Sequence, residues 1–176
     1  MHYRKTSLAL LTCLAVPLCW AEQNDHNKPM QIEADQVVIN NVERTSIFTG
    51  NVQATQGTLE LHGDKIIISE DKQGNKIGLV YGSTASFRQK REGVNEYVEG
   101  YGERIEYDTQ KQTIDIYGQA RLKREQDFIR GEHIIYNAQS EIFQVDTGAV
   151  VRGVPPQRVR AVLQPNKPAS VPAEKK

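Results

Sequence analysis

The chain has 176 residues, with 22 Lys and Arg against 22 Asp and Glu, 38% hydrophobic residues and 7% aromatic ones. A formally neutral chain of this size suits one domain and argues against nucleic acid as a partner, because a binding face for it normally makes a domain basic. The two cysteines, Cys13 and Cys19, both fall near the N-terminus, so the rest of the chain has no disulfide and no thiol for nucleophilic or metal chemistry.

Arg4 and Lys5 precede an apolar run over residues 8–18, and Cys19-Trp20-Ala21 closes it with small residues three and one before the cut. This is the layout of a secretory signal peptide cleaved after Ala21, and it is shorter than the roughly 20 apolar residues that span a bilayer. A lipoprotein signal is disfavoured by Thr12 and Leu18, where Gly or Ala would precede the cysteine. Two of the 22 basic residues and no acidic one lie in this segment, which leaves 20 against 22 and a net charge of −2. The expected organisation is a leader over 1–21, a flexible stretch over 22–28, one domain over 29–163 and a Pro- and Lys-rich disordered tail over 164–176.

Pro29 and Pro155 are consecutive prolines, so the residues between them can form one continuous structure. Apolar residues in this stretch alternate rather than recur at helical spacing: Met30 and Ile32, Leu59 and Leu61, Ile105 and Tyr107, Ile114 and Ile116, Ala120 and Leu122. Polar clusters such as Asp71-Lys72-Gln73-Gly74-Asn75 and Asp108-Thr109-Gln110-Lys111-Gln112 punctuate them as turns do. The pattern predicts an all-β fold of many short strands, the last over residues 158–163.

The strands also repeat. A small residue, an acid, a polar residue and a β-rich triplet begin at Ala34-Asp35, Gly63-Asp64, Gly102-Glu103 and Gly131-Glu132, at intervals of 29, 39 and 29 residues. Each is followed by a second mark, Gly50, Gly82, Gly118 or Gly148, between 16 and 19 residues later. Four units of about four short strands predict stacked layers that bury their apolar faces on one another. Such a stack is not closed, so its first and last strands are open to pairing with another chain.

Catalytic groups are sparse. His26 lies in a polar leader, and His62 and His133 stand beside repeat marks, where surface positions explain them. Asp35, Asp64, Glu103 and Glu132 occupy equivalent places in four units, which suits a structural role at turns better than four active sites. No nucleophile elbow, zinc helix or phosphate-cradling glycine loop is present. The chain is therefore read as a non-enzyme without cofactor or metal. Two features point to binding instead. Val37, Ile39, Ile66, Ile67, Ile68, Ile134 and Ile135, with Phe87, Tyr107 and Phe143, could line a long groove between two sheets that takes hydrocarbon chains, at about 0.8 kcal/mol per buried CH₂. Basic clusters follow two of the glycines: Arg88 and Lys90 after Gly82, and Arg121 and Lys123 after Gly118. They are candidates for phosphate contacts beside the groove. A solvated charged edge is the favoured explanation, because lysines also protect edges from aggregation.

Met30-Gln31-Ile32-Glu33-Ala34-Asp35-Gln36, Phe48-Thr49-Gly50-Asn51-Val52, Thr55-Gln56-Gly57-Thr58-Leu59 and Gly63-Asp64-Lys65-Ile66 resemble the signature of the LptA/OstA family, over residues 29–163. Between Arg88 and Glu99 the chain departs from the family's pattern. The resemblance implies stacked antiparallel strands in an open, slightly twisted β-jellyroll, V-shaped like a folded taco, and a periplasmic location. It implies that the lipid A moiety of lipopolysaccharide lies in the groove, and that copies join head to tail by strand addition. It further implies that they bridge the membrane-anchored LptC to the periplasmic domain of the outer-membrane LptD. Met30, Ile32, Phe87 and Tyr107 match groove positions of the family, and Ile39, Ile66 and Ile68 extend them. The competing reading is a β-repeat scaffold that binds no lipid and joins envelope proteins through its edges. On the first reading, aspartate at Ile32 or Phe87 is expected to abolish lipid binding in a protein that still folds.

Overall fold

A computed structural model describes residues 25–148 and 158–164, so the expected signal peptide, residues 22–24 and the tail beyond Gln164 lie outside the described residues. Apart from a 3₁₀ turn at Asp25–Asn27, the regular structure consists of strands: β1 (Met30–Glu33), β2 (Gln36–Asn40), β3 (Thr45–Gln56), β4 (Leu59–Glu70), β5 (Lys76–Lys90), β6 (Tyr97–Asp108), β7 (Thr113–Arg124), β8 (Asp127–Asn137), β9 (Ile142–Asp146) and β10 (Arg160–Val162). All belong to one antiparallel sheet in the order β1-β3-β4-β5-β6-β7-β8-β10, with β2 also on β3 and β9 also on β8.

The all-β expectation holds, but the strands are not short. β3 to β8 are each 11 to 15 residues long. Each is interrupted once by a register shift, at Thr49/Val52, His62/Lys65, Tyr81/Ala85, Tyr101/Arg104 or Tyr117/Ala120 and their partners. A bulge bends a strand without ending its ladder. It also explains the break in alternation: β4 buries Leu59 and Leu61 and then Ile66, and β6 buries Val98 and then Ile105 and Tyr107. The bends fall in line across the sheet and divide it into two halves. At the edges the chain divides too: β1 and β2 pair with the two halves of β3, and β9 and β10 with the two halves of β8.

The repeat marks meet at these bends. The acid of each first mark folds over the glycine of the following second mark: a Cβ at Gly50 would strike the Asp35 side chain, one at Gly118 would lie 2.7 Å from Glu103 Oε2, and one at Gly148 would lie 2.7 Å from Glu132 Cγ. In the fourth pair, Asp64 Oδ2 accepts the Ser83 N–H, next to Gly82, at 3.1 Å. Gly50 and Gly118 also have φ of +86° and +75°, where a Cβ is strained. The four recurrent acids are thus structural, as their spacing suggests.

Four turns along one margin of the stack, joining β2–β3, β4–β5, β6–β7 and β8–β9, have a common construction. Asn40 Oδ1, Asp71 Oδ1, Asp108 Oδ1 and Asn137 Oδ1 each accept backbone N–H groups from the residues that follow. This is the Asx-turn chemistry for which Asn and Asp are selected at such places.

The two half-sheets fold toward each other. One half contributes the cross-strand row Val37, Phe48, Ile66, Val80, Ile105, Ile116, Ile134 and Val145. The other contributes Ile32, Ala54, Leu61, Phe87, Gly100, Leu122, Ile129 and Ala161. They approach closely at Gly100: a Cβ there would strike Phe87 and lie 2.7 Å from Ile116 Cδ1 of the opposite half. The result is a folded-over sheet with an apolar interior.

Candidate functional site

The interior is the candidate site, and it changes along the stack. At the N-terminal edge it is open. Ile39 of β2 is 61% exposed, although its pairing with Ser46, and through it with Ile68, puts it on the inner face. Val37 is also exposed, and Met30 and Ile32 of β1 are half-buried against the core. Further along it is sealed. Ile66 and Phe87 are 1% exposed and Tyr107 is 5% exposed, with Ile68 half-buried beside them. All seven apolar candidates therefore share one continuous inner face, but three are inside a packed core.

The packing there is specific. Tyr107 faces Gly78 across the β5–β6 ladder, where a Cβ would lie at an ordinary 4.0 Å from Tyr107 Cβ. Phe87 faces Gly100, where a Cβ would strike its ring. The Phe87 ring stacks on Tyr136 of the opposite half at 6.3 Å between centroids, and Tyr136 stacks on Phe143 at 4.8 Å. Aspartate at Phe87 would place an unpaired charge in this core at a cost of several kcal/mol, so it would attack the fold as well as binding. Of the two substitutions expected to separate folding from binding, only that at Ile32 can do so.

Polar groups tie the free margins of the halves together. Arg91, just past β5, donates from Nη2 to Glu141 Oε2 at 2.6 Å and from Nε to Glu141 Oε1 at 3.0 Å, and it also pairs with Glu96. The Glu141 hydrogen bond is the main cause of a raised Arg91 pKa, and Arg91 in turn lowers that of Glu141. Nearby, the Arg124 guanidinium lies 5.4 Å over the Phe143 ring. Arg91 and Arg124 belong to the two basic clusters of the sequence, but their partners were not legible there, because Arg91 and Glu141 are 50 residues apart and only the fold-over joins them.

Burial raises the phenols of Tyr107 and Tyr136 to about 12, with lesser help from the charges of Asp25 and Glu141 respectively. Since an unfolded phenol titrates at about 10, their contribution to stability is complete below that pH and is lost as pH rises toward the folded value. In an alkaline titration, phenolate absorbance should therefore rise in two steps, the later one accompanied by loss of the β circular-dichroism signal. A single step near pH 10 with the signal intact would contradict this burial.

The basic candidates do not line the interior. Because side chains alternate, Phe87 and Leu122 point inward while Arg88, Lys90, Arg121 and Lys123 point outward. Arg88 is bound to Glu60 at 3.8 Å and Glu99 at 3.7 Å and lies 3.6 Å over the Tyr97 ring. Lys123 takes Glu99 from the other side at 3.6 Å. The Lys90 N–H donates to Thr58 Oγ1 at 3.2 Å. These groups thus lie on the outer face of the sheet, with its thickness between them and the apolar interior.

The histidines divide. His62 is exposed. His133 is not a freely solvated surface group: its ring stacks on Tyr117 at 4.3 Å and lies 3.0 Å from Asp115 Oδ1 and 3.2 Å from Asp146 Oδ2. Among the described residues no three His, Asp, Glu or Cys side chains gather at metal-binding spacing.

Known proteins share this architecture. The crystal structure of LptH from Pseudomonas aeruginosa, described as the LptA-homologous periplasmic component of a lipopolysaccharide transport device, superposes with a TM-score of 0.73. That match has 27% identity over 80% of this chain and 99% of the other. In sequence, the lipopolysaccharide export system protein LptA of Escherichia coli K12 is 29% identical, covering all of this chain and 99% of the relative. LptH of P. aeruginosa is 27% identical over 91% of this chain and 93% of the relative. None of these relatives is named for catalysis. The family model for the LptA/(LptD N-terminal domain) LPS transport proteins matches residues 31–142, and with the folded-over sheet and its apolar interior this chain belongs to that family.

Proposed function

We propose that the protein is a non-catalytic periplasmic carrier of lipopolysaccharide, exported by cleavage after Ala21, whose domain over 29–163 holds the acyl chains between its half-sheets. The observation that carries this reading is the inner face itself, apolar from β2 to β9, exposed at Val37 and Ile39, buried along the row from Ile66 to Ile134 and half-buried again at Val145. Acyl chains enter at the open N-terminal edge, where Met30, Ile32 and Ile39 meet them first. Passage beyond Ile66 requires the halves to part, with Phe87 and Tyr107 exchanging contacts with each other's neighbours for contacts with lipid. The division of both edges into two short strands supports head-to-tail strand addition, to further copies and to LptC and LptD.

The test is photo-crosslinking to purified lipopolysaccharide with probes at Ile32, Phe87 and Tyr107 and an outward control at Glu33. Crosslinks at the first three and none at Glu33 are expected, with Ile32 reacting fastest. Ile32→Asp should abolish them in a protein with an unchanged β spectrum. Crosslinking confined to Glu33, or absent from a folded protein, would overturn the reading and leave a self-filled scaffold.

A further inference from the structure

The outer face of the C-terminal edge carries a row of three arginines. Arg121 of β7 is directly opposite Arg130 of β8, and Arg130 is directly opposite Arg160 of β10. Their inward neighbours, Leu122 and Ile129 on the same strands, belong to the core and its margin, so the three guanidinium groups point to one side, away from the interior. Like charges directly opposite one another destabilise a strand pair. Among the described residues no carboxylate forms an ion pair with any of the three, whereas Arg88, Lys123 and Arg124 on the neighbouring surface are all paired with acids.

The row is nevertheless constructed. The Arg121 guanidinium lies 5.6 Å over the Tyr101 ring and that of Arg130 lies 4.6 Å over Phe128. Arg121 Nε is buried without a hydrogen-bond partner. A guanidinium backed by a ring can still turn its terminal Nη–H groups to a planar or tetrahedral oxyanion. With strands about 4.8 Å apart, the outer two arginines are about 10 Å from each other, a span that suits several phosphates on one molecule better than a single one. The third arginine belongs to a weak element: β10 has three residues, all exposed, and is further held by the Gln164 N–H on Asp127 Oδ1 at 2.9 Å.

We propose that Arg121, Arg130 and Arg160 form a binding site for clustered phosphate groups, and that its occupation holds β10 on the sheet. Anion binding removes the repulsion between Arg130 and Arg160 and bridges β8 to β10. Without the anion β10 is released readily and leaves the lower half of β8 as an open edge. The phosphates can come from the head group of lipopolysaccharide or from soluble polyphosphate, and the site does not depend on the interior carrying lipid.

Calorimetric titration of the full mature chain with sodium tripolyphosphate tests the site. Arg130→Gln and Arg160→Gln should each weaken binding about tenfold, the equivalent of about 1.4 kcal/mol. Arg88→Gln should leave it unchanged. Tripolyphosphate should slow amide exchange at Ala161 and Val162 in the parent only. Folding is not at risk, because Arg130→Gln removes a repulsion and should melt no lower than the parent in low salt. Absence of tripolyphosphate binding, or an equal loss in Arg88→Gln, would overturn the proposal. Titration with lipopolysaccharide before and after phosphatase treatment identifies the source. An affinity that falls on dephosphorylation in the parent but not in Arg130→Gln assigns the site to the head group. Tripolyphosphate binding without that sensitivity assigns it to soluble polyphosphate. Crosslinking at Ile32 reports the interior separately and should survive Arg130→Gln.

Discussion

Phe87→Ala is expected to cost about 3–5 kcal/mol of unfolding free energy, the range for removing a large buried ring. The site has little means of collapsing. The ring fills the space above Gly100, stacks on Tyr136 and is the side chain through which β5 reaches the opposite half-sheet. A domain of this size has a total stability of about 5–15 kcal/mol, so the variant should be close to unfolding at physiological temperature. Urea denaturation followed by circular dichroism measures the difference. A loss below about 1 kcal/mol would mean that the halves are held by other contacts and that the stacking at Phe87 is incidental.

Gly102→Val should be the second largest effect, and for the opposite reason. A Cβ at Gly102 would lie 2.6 Å from Ile116 Cγ2 and 2.8 Å from the Tyr117 carbonyl oxygen. The side chain can turn aside, but the carbonyl is part of the β7 ladder at its bend and cannot. Overpacking of this kind costs about 1–3 kcal/mol, and valine adds two further methyl groups to the clash. Gly78→Ala is the matched control, because the nearest atom to its Cβ would be 4.0 Å away. It should be neutral or stabilise by a few tenths up to about 1 kcal/mol through the unfolded chain. If both variants melt alike, close approach at the bend is not what keeps residue 102 glycine.

Much of this architecture is legible in the residues. Alternation at Leu59 and Leu61 or Ile114 and Ile116 identifies strands because one face is buried, and the Asp71 and Asp108 clusters identify turns because their carboxylates bond the backbone that follows. The paired marks, Asp35 with Gly50 and Glu103 with Gly118, are visible as a repeat before their contact is known. Continuous bent strands were less accessible. A bulge shifts the alternation by one residue, which in sequence looks the same as a strand ending and another beginning. Which side of the sheet the basic residues occupy follows from the same alternation: adjacency of Phe87 and Arg88 in the chain means opposition across the sheet. Arg91 with Glu141, and the arginine row, depend on pairings between distant strands and have no local signature.

The bends also make the molecule a ruler. Each successive strand adds one rung to both half-sheets at once, and β3 to β8 are six such rungs between two divided ones. At a spacing of about 4.8 Å the first and last rungs are about 34 Å apart. That reach is set by the number of rungs alone, whatever the loops do. It can be lengthened only in steps of two strands, about 10 Å, because a single added strand would reverse the chain direction and put an acid mark where a glycine must be. Distance between the two ends is therefore encoded in repeat count, and insertions in the turns leave it unaltered.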